Sequence, residues 1–287
     1  MVRTPLGAAG RLAPASALVL LFLALPLLLL FRFSLNEFVP GTFMVEALTL
    51  ENYVTAATDP YYRGVLRTTV LMAAGVTTIC LVVALPIAQF LARTTVRYKS
   101  LLVLAVVMPL FVGNAVRAAG WMVAFGQHGV INRVLLDLGL VAAPAALMYT
   151  PGAVVVGIVA VNLPFVVLTL ASVIEGINPS AEEAARSLGA TPFGTWRLVT
   201  LPLAMPGVLA AAVLSFILTM NAYATPVLLG GPSFRMMAPV IADEILAKNN
   251  WPFGATLAFV LMLVTLALTV LMNLAVSRRH SDGRRQD

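Results

Sequence analysis

Residues 178–202 read Asn178-Pro179-Ser180-Ala181-Glu182-Glu183-Ala184-Ala185-Arg186-Ser187-Leu188-Gly189-Ala190-Thr191-Pro192-Phe193-Gly194-Thr195-Trp196-Arg197-Leu198-Val199-Thr200-Leu201-Pro202. Asn178 or Ser180 caps a short helix, and the acids in its first turn suit the positive end of the helix dipole. Gly189 is a C-terminal stop. Thr191-Pro192 starts a second short helix with Phe193, Trp196 and Val199 on one side, ending before Pro202. The pattern predicts a helix–turn–helix lying at a membrane surface. Its small residues Ala184, Ala185 and Gly189 leave a shallow face on which another protein could sit closely.

The membrane follows from the flanks. Residues 138–174 and 198–234 on either side, and 12–31, 68–92 and 249–277 further out, contain no Lys, Arg, Asp or Glu. A spanning helix needs about 20 mostly apolar residues, at about 1.5 Å each across about 30 Å of hydrocarbon. The two longest runs hold one helix each plus a loop, because Pro144 and Pro151 punctuate the first, and Pro202, Pro206 and Gly230-Gly231-Pro232 the second. The stretch 100–116 is shorter and continues past Arg117 to about residue 125. These signals predict six helices near 14–31, 67–92, 101–124, 149–174, 205–228 and 255–277. The chain is expected to be a single transmembrane domain, all-α, with residues 175–204 as an inner loop. Arg3 and Arg11 precede the first apolar run as in a signal peptide, but Phe31-Arg32-Phe33-Ser34-Leu35 follows it instead of a small-x-small cleavage site, so the run reads as an uncleaved span.

Composition agrees. The 287 residues are 60% hydrophobic and 10% charged, with a mean hydropathy of +0.96. A soluble domain is about 45–50% apolar and about 25% charged, so a nucleic-acid-binding domain and nearly every soluble enzyme are excluded. The formal charge of +6 is a topology signal. With six spans and an inner N-terminus, Arg3, Arg11, Arg93, Arg97, Lys99, Arg186, Arg197, Arg278, Arg279, Arg284 and Arg285 lie inside. Those are eleven of the 18 basic residues; Arg32, Arg63, Arg67, Arg133, Arg235 and Lys248 lie outside, and Arg117 falls within or near the third span. Basic residues collect on the cytoplasmic side, so both termini are expected inside, with 35–66 outside and the basic tail near anionic lipid.

No catalytic or metal constellation stands out. Cys80 is the one cysteine, His128 and His280 are the only histidines, and neither a zinc set nor a nucleophile with its base can be assembled from them. The only Lys-Ser pair, Lys99-Ser100, has Tyr98 where a phosphate-binding loop needs Gly. No cofactor is expected, and energy must come from another chain. A secondary transporter or channel subunit is the alternative, but such proteins carry intramembrane ionisable groups, and the interior here holds no acid unless Glu175 at the inner end counts.

The 178–202 segment resembles the EAA motif of ABC importer permeases: Glu-Ala-Ala, three residues, Gly, nine residues, an aliphatic residue, one residue, Leu-Pro. Here these are Glu183, Ala184, Ala185, Gly189, Val199, Leu201 and Pro202. Val199 stands where Ile is commoner. Thr49-Leu50-Glu51-Asn52-Tyr53, Val116-Arg117 with Trp121, Leu163-Pro164-Phe165, the 225–232 segment Thr-Pro-Val-Leu-Leu-Gly-Gly-Pro and Trp251-Pro252-Phe253-Gly254 are similar to the spermidine/putrescine-type permeases, the first permease of the pair above all. The resemblance implies a type I importer permease (MetI-like) fold in a bacterial inner membrane. It also implies a cytoplasmic ATPase dimer docked on the EAA loop, a second permease and a periplasmic solute-binding protein.

Members that move polyamines often carry an acid just before the Thr-Pro of the fifth span. Here Met220-Asn221-Ala222-Tyr223-Ala224 precedes Thr225-Pro226. A dication gains no carboxylate from this chain, so polyamine, opine-like and amino-acid-like solutes all remain open. Polar groups within spans face a bundle interior. Asn114, Arg117, Asn162, Asn221 and Tyr223 are therefore the candidate pathway residues, although an intramembrane Asn can equally serve a helix–helix hydrogen bond. Arg117 either snorkels to the outer surface or lines a wet cavity.

Overall fold

The computed structural model describes residues 5–41 and 44–283, and side chains over 17–41 and 44–274. Arg3, Arg284 and Arg285 lie outside the described residues, and Arg11, Arg278, Arg279 and His280 outside the described side chains. In chain order the helices are α1 (Pro5–Ser34), α2 (Glu51–Thr58), α3 (Pro60–Arg93), α4 (Lys99–Val107), α5 (Asn114–Phe125), α6 (Val130–Asp137), α7 (Pro151–Glu175), α8 (Pro179–Ser187), α9 (Pro192–Thr195), α10 (Leu201–Met220), α11 (Ala224–Gly230), α12 (Met237–Ala242) and α13 (Trp251–Gly283). Among the described residues, five stretches are long and apolar enough to cross a bilayer, six if the bent pair Lys99–Phe111 and Asn114–Asp137 is one span.

Two of the expected spans are corrected. The third is not a straight helix over 101–124. It turns by 97° between Phe111 and Asn114. Pro109 lacks an N–H, and its ring clashes with the carbonyl four residues back. The chain tightens there into a 3-10 turn at Met108–Phe111, Val112 becomes extended (φ −90°, ψ 126°), and α5 restarts after Gly113. The fifth is not continuous over 205–228. Helix α10 ends at Met220, residues 221–223 are non-helical, and α11 follows. Pro226 explains the break in the same way, because its ring opposes the carbonyl of Ala222. The Asn221 Nδ2 donates to the Ile217 carbonyl at 2.9 Å, beside the Asn221 N–H, which donates to the same oxygen at 3.2 Å.

The chain divides into two compact units. One comprises residues 1–63 and 240–262. Its centre is the end of α1: Asn52 Nδ2 donates to the carbonyls of Ser34 (3.0 Å) and Asn36 (2.8 Å), the Ser34 and Tyr53 hydroxyls lie 2.7 Å apart, and the Thr256 hydroxyl donates to the Ser34 carbonyl at 3.1 Å. The 49–53 segment thus tethers the loop after the first span. Glu244, buried in the same unit, accepts from the Tyr62 hydroxyl at 2.9 Å and from Lys248 Nζ at 2.7 Å. That bond raises the Lys248 pKa above its ordinary value, against the opposing pull of desolvation.

The second unit comprises residues 64–239 and 263–287. Its core is apolar and small-residue rich: Val76, Cys80, Ala84, Val154, Val166, Leu170 and Ala211 are all buried. Helices α7 and α10 approach so closely that a Cβ on Gly207 would stand 2.7 Å from Val173 Cβ. Without a hydrophobic difference between helix surfaces and lipid, close backbone approach is what holds such helices together.

Candidate functional site

The inner loop folds from its own capping residues. The Asn178 side chain accepts from the Ser180 N–H at 3.0 Å and starts α8. Gly189 takes φ +87°, a left-handed conformation that costs any other residue but Asn. Its N–H bonds the Arg186 carbonyl (2.9 Å), and the Ala190 N–H bonds Ala185 (3.0 Å), the paired pattern of a Schellman stop. Thr191 then accepts from the Gly194 N–H at 3.1 Å and starts α9.

The second half of the loop corrects the sequence reading. No separate surface helix ends before Pro202. The helix runs from Pro192 through to Met220 as the start of the fifth span. A π turn at Trp196–Thr200 admits the proline: the Leu201 N–H bonds Trp196, five residues back, just before the missing donor of Pro202. Val199, Leu201 and Pro202 therefore belong to the root of α10, whereas Glu183, Ala184 and Gly189 are exposed on α8 and its stop, with Ala185 half-buried.

The acid that the loop buries is Glu182, only 3% exposed. Its Oε1 accepts from Arg93 Nε (3.1 Å), Arg93 Nη2 (2.9 Å) and the Thr200 hydroxyl (2.9 Å). Arg186 Nη2 lies 3.7 Å from Oε2. These partners were not legible from the residues: Glu182 and Glu183 are adjacent acids, and only the helical phase decides which one faces inward.

Four of the five pathway candidates meet. Asn114, Asn162, Asn221 and Tyr223 line one cavity of 370 Å³, with Thr225 and an apolar wall that includes Ile158 and Ile217. The two breaks create it, since the restart of α5 and the 221–223 gap both border this space. Asn162 is 1% exposed, and its Nδ2 donates to the Ser215 carbonyl (3.2 Å) and the Thr219 hydroxyl (2.9 Å), so its amide joins α7 to α10. Arg117 does not line the cavity. Its Nη2 donates to Asn114 Oδ1 at 2.7 Å, which leaves the Asn114 amide donors to the cavity, and its Nε and Nη1 are enclosed with no hydrogen-bond partner. No carboxylate lines this space. At the inner end of α7, Glu175 pairs with Lys99 at 2.8 Å.

Comparison with known proteins places this architecture. Residues 97–281 match the family model of the binding-protein-dependent transport system inner membrane component. The chain is 34% identical over 258 residues to the spermidine/putrescine transport system permease protein PotB of Haemophilus influenzae, covering 90% of this chain and 87% of that one. It is 33% identical over 225 residues to the molybdenum transport system permease protein ModB of Azotobacter vinelandii, covering 76% and 95%. A bacterial ABC transporter that imports the acidic polysaccharide alginate contains a chain of the same fold, with a TM-score of 0.77, 18% identity and 95% of each chain covered. The chain therefore belongs to the binding-protein-dependent transport inner membrane components and is a membrane-embedded permease subunit of an ABC importer.

Proposed function

We propose that α8 is the surface on which a cytoplasmic ATPase dimer docks, and that the 370 Å³ cavity belongs to the solute pathway. The observation that carries the docking reading is the exposed Glu183-Ala184 face on a helix capped at both ends and set between two spans. Glu183 offers a charge to a polar or basic contact, while Ala184 and Ala185 allow close approach. ATP is hydrolysed by that partner, a second, different permease completes the pathway, and a periplasmic solute-binding protein delivers the solute. Both termini lie inside.

The solute is a small polar molecule. Relatives named for a polyamine and for molybdenum stand at 34% and 33% identity, so similarity alone does not choose between a cation and an anion. The cavity lining supports one of these. Amide and hydroxyl groups with no carboxylate suit an amino-acid-like or opine-like zwitterion ahead of a polyamine, unless the second permease supplies an acid.

Glu183→Lys and Gly189→Glu test the docking. Both variants are expected to insert normally, to lose the ATPase from the purified complex and to abolish uptake. A complex that assembles and transports at the wild-type rate with either change overturns the assignment.

A further inference from the structure

Three segments that arrive from different parts of the chain meet on one oxygen atom. Arg93 is the last residue of α3, Glu182 lies in the first turn of α8, and Thr200 closes the π turn that leads into α10. Glu182 Oε1 accepts all three of their hydrogen bonds, at 2.9–3.1 Å. Arg93 Nη2 also holds the Ile177 carbonyl at 3.1 Å, fixing the connection by which α8 leaves α7. The Glu182 and Thr200 residues are 3% and 1% exposed and the Arg93 side chain 21%, so the accepting carboxylate is shut off from water.

A nine-residue helix hung between two short connections has no rigidity of its own. A push on its outer face would turn it about those connections and dissipate. Charge-assisted, forked hydrogen bonds from a guanidinium fix direction as well as distance. We propose that Glu182 is a positioning residue for coupling: with Arg93 and Thr200 it clamps α8 to the inner end of α3 and the root of α10, so that movement imposed on α8 reaches both spans as one body. The proposal rests on the reading that α8 is where the ATPase docks.

Cys80 is the only cysteine in the chain and is buried. Nitroxide labels at Ser187→Cys on α8 and Phe90→Cys near the inner end of α3, both exposed positions, therefore report the α8-to-α3 separation in the assembled importer by electron paramagnetic resonance. The probe is Mg-ATP, with and without vanadate trapping. In the otherwise unaltered chain the separation is expected to stay narrow and to be the same in both states. Glu182→Gln should broaden it about twofold, as loss of a charge-assisted contact allows, and trapping should now shift it. Thr200→Val, which keeps the ion pair and so the assembly, should give the same change in smaller measure, and Thr200→Ser should restore the narrow distribution. A separation that changes on trapping without any clamp substitution, or stays narrow in both Glu182→Gln and Thr200→Val, overturns the clamp. An ATPase that stays bound and drives uptake at the unaltered rate when Glu183→Lys is added to the labelled chain would instead count against the docking reading.

Discussion

At the residue scale, similar amides do different work. The Asn162 Nδ2 is spent on the Ser215 carbonyl and the Thr219 hydroxyl, while the Asn221 Nδ2 only closes its own helix, on Ile217, at the edge of the cavity. Intramembrane side-chain hydrogen bonds contribute about 0.6 kcal/mol on average and at most about 1.7. Asn162→Leu is therefore expected to lower the thermal stability of the complex by an amount on the order of 1 kcal/mol. Asn221→Leu should leave stability nearly unchanged and cut uptake. Arg117→Leu should also cut uptake, because Asn114 loses the bond that orients its amide. Thermal unfolding and uptake, measured on all three, separate the roles; unchanged uptake in both Asn221→Leu and Arg117→Leu would remove them from the pathway. The sequence identified these residue types as polar groups in apolar surroundings. It did not show which were already satisfied, since that depends on whether Ser215 and Thr219, 53 and 57 residues further on, face Asn162.

At the element scale, capping chemistry was the most readable feature and helix continuity the least. Asn178, Gly189 and Thr191 each do what their residue type suggests, because caps are settled by neighbours within a few positions. The breaks at 112–113 and 221–223 were hidden inside uniformly apolar runs. Hydropathy measures whether a segment prefers lipid, not whether its backbone stays helical. Pro109 and Pro226 carried the signal, yet Pro86, Pro164 and Pro206 sit inside α3, α7 and α10 without ending them. Only the surrounding packing decides between the two outcomes. The α7–α10 pair gives a direct test of that packing. A leucine at Gly207 would drive atoms into Val173, whose Cβ, Cγ1 and Cγ2 already stand 2.7–2.8 Å from where a Cβ would be built. Gly207→Leu is expected to lower the melting temperature of the complex, with a cost of about 1–3 kcal/mol for overpacking. Gly75→Leu, where a Cβ meets no atom within 4 Å, should not. Equal stability of the two variants would contradict the close approach.

At the scale of the whole molecule, the membrane class was legible from composition, and the family from one 20-residue motif whose spacing the fold explains. The motif joins two functions: its first half is an exposed, capped helix, and its second half is the root of a span. Glu182, one residue ahead of the motif, ties that exposed helix to the root and to α3. On the proposed reading, a separate ATPase drives transport through that helix. Vesicles holding the permease pair and the ATPase, with ATP inside and the solute-loaded binding protein outside, test this most directly. The account predicts uptake that requires both ATP and the loaded binding protein and stops with Glu183→Lys. Uptake driven by a proton gradient without ATP, or undiminished by Glu183→Lys in an assembled complex, would contradict it.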